Sequence, residues 1–375
     1  MSSARTNLDT ASLLELAARY FHQQANYHDL FQIRLMQVRT KLGLPAVATS
    51  QAEELPAPQR QALEAAYLEV CEEVGQLWLA AGNPRAAWSY LRLGGQREPV
   101  ARKLRETPVT SENLDELLEL ALSEQIAPAY GLRLILDHFG VCQAITAFDS
   151  ELAQASPRER ELAANDLVAR LHADLLATLG EEITRREPSF TLANADTLST
   201  LLHDRQWLFA DNAYHLDTTH LSSVVRIARW VADPRYLKLA RELCQYGQHL
   251  SAQLQLAGDP PFTDNYRAHE LFFAAQLGEN IDQALAYFEQ AAAQTDSPYD
   301  LTLPAETYIV LLTRLRRWPQ ALAAAARWFP PGQRTSGFAP TLVELSNLAG
   351  DYAPLCAASR ERGDVLHFVV GLLGG

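Results

Sequence analysis

Cysteine is scarce in this sequence. The four that occur, Cys71, Cys142, Cys244 and Cys356, lie far apart and none belongs to a CxxC pair. That spacing excludes a dense disulfide framework and the common thiolate metal motifs, and it leaves four small apolar residues expected in helix interiors. Basic charge is also short: 32 Lys and Arg stand against 45 Asp and Glu, a net charge of −13. A general nucleic-acid binder needs a basic face to displace counterions, so no nucleic-acid partner is expected. The arginines Arg314, Arg316 and Arg317 read as a solvated helix face rather than as a basic patch. Long apolar runs are missing too. The longest, VLHFVVGLLGG at 365–375, falls short of the about 20 residues that span a bilayer and reads as a last buried helix. The first residues, MSSARTNLDTASLL, lack the apolar centre of a secretory signal. A cytoplasmic protein with no membrane partner is the expectation.

Catalytic signatures are missing as well. There is no GxxxxGK[ST], no GxGxxG after a strand, no GxSxG and no HExxH. Those gaps count against nucleotide hydrolysis, dinucleotide redox chemistry and the common hydrolase mechanisms, and no cofactor is expected.

Helical periodicity fills the space these absences leave, and no long run alternates like a half-buried strand. The fold class expected is all-α. Asp9 or Thr10 caps a first helix, a second runs from about His28 to Leu42, and residues 44–59 form a connector with three prolines. A long helix, about Arg60 to Ala81, follows, with Pro84 in the first turn of the next. Further breaks fall at 107–110, 156–157, 187–195, 258–264, 296–304 and 329–340. The helix Glu159–Arg186 suits a hinge between an N-terminal half, 1–155, and a C-terminal half, 156–375, unless the two make one continuous stack.

One pattern recurs. A helix with small and aromatic residues ends at Gly or Asn, and a second follows with Ala, an aromatic and Ala at helical spacing. It appears as QLWLAAGNPRAAWSYLRLGG at 76–95 and LGENIDQALAYFEQAAA at 277–293, with looser copies at 138–152, 315–329 and 348–359. Val74, Gly75 and Trp78 take the first-helix positions and Ala87 the tight crossing; Ala284, Phe288 and Ala291, then Ala321 and Ala325, repeat the second-helix set. This pattern resembles the tetratricopeptide repeat. The resemblance implies an α-solenoid of antiparallel helical hairpins whose first helices line a concave groove for a protein or peptide. The matching groove positions are Glu72, Gln76, Arg133, Tyr266, His269 and Arg314. The alternative is an enzyme on a closed α/α toroid, carbohydrate-active or metal-dependent.

The residues that carry chemistry in that alternative lie in WLFADNAYHLDTTHLSSVVRIAR at 207–229. His215, Asp217 and His220, with Tyr214 and Asp211 beside them, form an imidazole–carboxylate–imidazole set. Such a set binds a divalent metal or works as general acid and base. The bland reading makes Asp217 or Thr218 the N-cap of a helix and His220 part of its first turn. In the first reading the three side chains share a pocket at that helix's N-terminal end. A second polar group, TDNYRAHE at 263–270, opens another helix with Asp264 as its cap, and places His269 and Glu270 as companions to the first cluster.

Overall fold

The computed structural model describes residues 9–47, 55–193, 197–294, 303–329 and 336–375, and parts of the expected breaks at 44–59, 187–195, 296–304 and 329–340 fall outside them. Among the described residues every regular element is a helix. The chain divides into two compact units, 1–131 and 132–375, rather than at 155 and 156.

The first unit holds α1 (Thr10–Gln23), α2 (Tyr27–Lys41), α3 (Ala57–Ala80), α4 (Pro84–Leu91), α5 (Arg97–Glu106) and the short α6 (Leu114–Leu118), and α7 (Pro128–Phe139) begins at its end. Local chemistry sets these starts. The Asp9 carboxylate accepts from the Ser12 amide at 2.6 Å, and the Asn83 side chain accepts from the Ala86 amide at 2.9 Å, with Pro84 behind it. Successive helices α1 to α5 pack on one another. Phe31, Val70, Cys71 and Val74 form a core ringed by Tyr27, Trp78 and Tyr90. Gly75 is required where α3 meets α4, because a Cβ there would sit 2.5 Å from Leu91 Cγ.

The second unit holds α8 (Val141–Ser150), α9 (Pro157–Arg186), α10 (Leu198–Leu202), α11 (Thr218–Ile227), α12 (Pro234–His249), α13 (Asn265–Gln276), α14 (Ile281–Ala293), α15 (Leu303–Arg314), α16 (Trp318–Trp328), α17 (Leu342–Ala349), α18 (Ala353–Arg362) and α19 (Val365–Gly374). From α11 onward each helix packs on the next, and α11 on α13, α13 on α15, α16 on α18 and α17 on α19 pack as well. Ala284 and Ala321, like Ala87 in the first unit, are fully buried, as close helix crossings at these positions require. Gly82, Gly278, Asn280 and Gly350 stand at the expected turns with positive φ.

Four expectations are corrected. The helix at 159–186 is not a hinge: α9 packs against α8, α10, α11 and α12 and buries a mainly apolar stripe from Ala163 to Ile183, with Asn165 and His172 in it. Arg314 is not part of a solvated face. Its guanidinium is buried and donates to the carbonyls of Val231 at 2.8 Å and Arg229 at 2.9 Å and to Gln276 Oε1 at 2.7 Å, so it caps the 228–230 turn from α15. Burial lowers its pKa to about 10, so it stays charged at neutral pH. Cys142 is exposed and Cys356 half-buried, whereas Cys71 and Cys244 are buried, and all four are free thiols. The last helix, α19, is mostly exposed rather than buried. No described helix is long and apolar enough to cross a membrane.

Candidate ligand-binding site

Asp217 is the N-cap of α11. Its carboxylate oxygen Oδ1 accepts from the amides of Thr219 at 2.8 Å and His220 at 3.2 Å and from the Thr219 hydroxyl at 2.6 Å. The Thr219 hydroxyl and these amides hold its pKa below the usual carboxylate value. His215 is turned elsewhere. Its backbone amide donates to the Tyr246 hydroxyl at 2.9 Å, and its Nδ1 lies 3.1 Å from the same oxygen. The Tyr246 hydroxyl thus holds both the backbone and the ring of His215. Burial lowers the His215 pKa, against a weak opposing pull from Glu182. Phe209 packs edge-on against the ring, with centroids 6.1 Å apart. Tyr246 is fully buried and its phenol is pushed up to about 12.

The set therefore separates into a cap, an aromatic-packed histidine and a first-turn residue, His220. Tyr214 is 58% exposed. Among the described residues no three His, Cys, Asp or Glu side chains stand where they would hold a metal ion, His215, Asp217 and His220 included. The helix start at Thr218 and its cap at Asp217 follow from local chemistry; the partner that draws His215 away lies 31 residues on.

Tyr266 and His269, expected to line a groove, are core residues of α13 with 1% exposure each. The Tyr266 ring fills the place a Cβ on Gly247 would take, 2.4 Å away, where α12 and α13 cross. Burial pushes its phenol well up. His269 stacks on Phe262 with centroids 3.8 Å apart and donates Nδ1–H to the Asn265 carbonyl at 2.6 Å. Burial, helped by the positive charge of Arg229, holds its pKa well below 6.5, so it is neutral. Its Nε2 and the Tyr266 hydroxyl have no hydrogen-bond partner.

The accessible face of the same helix lies about 100° further round, one residue along. Arg267, Glu270, Leu271 and Ala274, at i, i+3, i+4 and i+7, share a cleft of about 440 Å³ with the stripe Asn280, Gln283 and Tyr287 of the next hairpin helix. Gln248 closes it from α12. Glu270 is fixed by three donors: Gln248 Nε2 at 2.7 Å, Gln245 Nε2 at 3.0 Å and Arg241 Nε at 3.4 Å. The Tyr287 hydroxyl donates to the Pro261 carbonyl at 2.8 Å. Arg267 is 77% exposed and 3.8 Å from Asp264. Amides that both donate and accept, an aromatic wall and one loosely held guanidinium suit a chain with repeating peptide groups. The sequence singled out 263–270 but chose the wrong stripe of it, because either stripe obeys the helical period.

A larger cleft of about 650 Å³ lies between α1 and α2 in the first unit. Its polar groups bind one another: Arg34 meets Glu73 at 2.8 Å and Gln37 at 3.0 Å, and Gln37 meets Glu15 at 3.2 Å. Comparison of the chain with protein-family models, with curated proteins and with solved structures yields no match.

Proposed function

We propose that this chain is a helical-repeat scaffold, a solenoid of hairpins in the second unit, that holds a protein or peptide in the cleft over α13 and α14. The observation that carries the reading is the division of labour on α13. One stripe, with Tyr266, His269, Phe272 and Phe273, is core, and the neighbouring stripe lines an amide-rich cleft with α14. Packing of helices on their next-but-one neighbours, with fully buried alanines at Ala284 and Ala321, is how stacked hairpins build such a surface. The toroid-enzyme reading has less support, since the Asp217 carboxylate is spent on a cap and the His215 ring on Tyr246.

The test is selection from a displayed random-peptide library on the purified chain, followed by affinity measured by fluorescence anisotropy. Peptides in the micromolar range are expected, about 8 kcal/mol of binding. Arg267→Glu and Gln283→Lys should each weaken them at least about tenfold with unchanged melting. Failure to select any peptide, or peptides indifferent to both substitutions, would overturn the assignment.

A further inference from the structure

Helix α19 carries an unpartnered face whose own symmetry names its occupant. Of the 18 exposed large apolar residues among the described ones, five fall in its ten residues: Val365 at 72%, Leu366 at 70%, Val369 at 43%, Leu372 at 60% and Leu373 at 83%. A contiguous apolar patch of this kind marks an interaction surface, whereas scattered single residues do not. The opposite side of α19 is the one that holds it in place. Gly371 lies against Cys356, where a Cβ would come within 2.6 Å of Sγ, and Gly374 lies against Tyr352. Arg360 covers the Phe368 ring at 5.1 Å.

The five residues are arranged symmetrically. Val369 is the centre, Leu366 and Leu372 stand at −3 and +3, and Val365 and Leu373 at −4 and +4. All lie within about 60° of Val369 round the helix axis. Such a stripe suits an isologous interface, in which position i meets j and j meets i under a two-fold axis. When two copies of α19 pack antiparallel with the axis at Val369, Val369 meets itself, Leu366 meets Leu373 and Val365 meets Leu372, because each pair lies on one side of the stripe at opposite heights. No like charges oppose. The hydrogen-bonded pair Asp364 and His367, 2.6 Å apart, sits at the N-terminal end of the helix, and the two copies' pairs lie at opposite ends of the contact. The five side chains expose on the order of 500 Å² per copy, or about 1,000 Å² over the pair, the low end of the range for a biological interface.

We infer that this chain forms a two-fold homodimer through α19, with the axis at Val369.

Sedimentation equilibrium of the full chain at micromolar concentration is expected to give twice its 41.7 kDa mass. Val369→Glu sets two carboxylates on the axis and should lower the association constant at least about 100-fold. Leu366→Lys should weaken the dimer, and Leu366→Lys with Leu373→Glu should restore it, because the two positions meet across the axis. Val369→Cys, in a Cys142→Ala background, should give a disulfide-linked dimer on mild oxidation. Val365→Cys should not, since the two copies of residue 365 would lie about 12 Å apart, beyond disulfide reach. This arm holds even where Val369→Glu disturbs folding. A wild-type monomer would overturn the inference. So would a dimer untouched by Val369→Glu in which Val369→Cys also forms no cross-link, or a monomer that sediments with lipid vesicles through α19.

Discussion

Helix α13 reads NYRAHELFFAAQ and helix α19 reads VLHFVVGLLG. Composition alone would bury the second and expose the first. The structure does the reverse: eight of the twelve residues of α13 are buried, Asn265, Tyr266 and His269 among them, whereas in α19 only Gly371 is. The difference is neighbours. α13 is packed against α11, α12, α14 and α15, and α19 against α17 and α18. Apolar content drives burial only where there is a surface to be buried against. A helix with partners on several sides takes its polar residues inside with it, and they must find hydrogen bonds there. Asn265 does so with the Ser222 hydroxyl at 2.9 Å; His269 does so with only one of its two nitrogens.

The largest expected effect tests that contrast directly. Phe288→Ala opens a hole in the fully buried cluster with Phe262 and Phe272, and should cost about 3–5 kcal/mol by urea denaturation. Leu373→Ala, at 83% exposure, should change monomer stability by less than about 0.5 kcal/mol when measured in dilute solution. Similar costs at the two sites would mean that α19 is covered within the monomer.

The second effect concerns the polar residue α13 carries inside. His269 has a folded-state pKa well below its unfolded value of about 6.5. Below that value the unfolded chain binds a proton that the folded chain refuses, so acid favours unfolding. Stability should fall as pH drops below 6.5, by up to about 1.4 kcal/mol per unit until the folded pKa is reached. Denaturation of His269→Leu at pH 7 and pH 5 should show a flatter dependence than the parent. Equal slopes would place the ring in contact with water.

The third effect lies outside the core. Asp217→Ala should remove the α11 cap and cost about 0.5–2 kcal/mol at pH 7. The carboxylate's folded pKa is lowered, so its contribution is complete above the unfolded value of about 3.9 and is lost as pH falls through the folded value. Parent and variant should therefore converge in thermal melts as pH falls below the unfolded value and through the lowered folded one. A variant as stable as the parent at pH 7 would show that the capping bonds are replaced by solvent.

Much of the local structure was legible. Asp9, Asn83 and Asp217 announce helix starts because a short polar side chain can reach an amide two or three residues on. Gly82 and Gly350 announce ends because positive φ disfavours other residues. Ala87, Ala284 and Ala321 marked tight crossings because only small residues let helices approach that closely. The candidate site was half legible. The 263–270 segment was found, yet Arg267 and Glu270 line the cleft where Tyr266 and His269 were expected. A 3.6-residue period gives the spacing of a stripe and not its direction.

Adjacent residues set that the chain is helical, where many helices start and stop, and that Gly75, Ala87, Ala284 and Ala321 sit at crossings. The tertiary structure alone decided that Arg314 would bind the 229–231 carbonyls, that His215 would go to Tyr246 and that Glu306 would be buried against the amides of Ser336, Phe338 and Ala339. Each of those bonds joins residues 30 or more apart in the chain. Their partners are set by which helix stacks on which, a choice made by the summed burial of many side chains and written in no single segment.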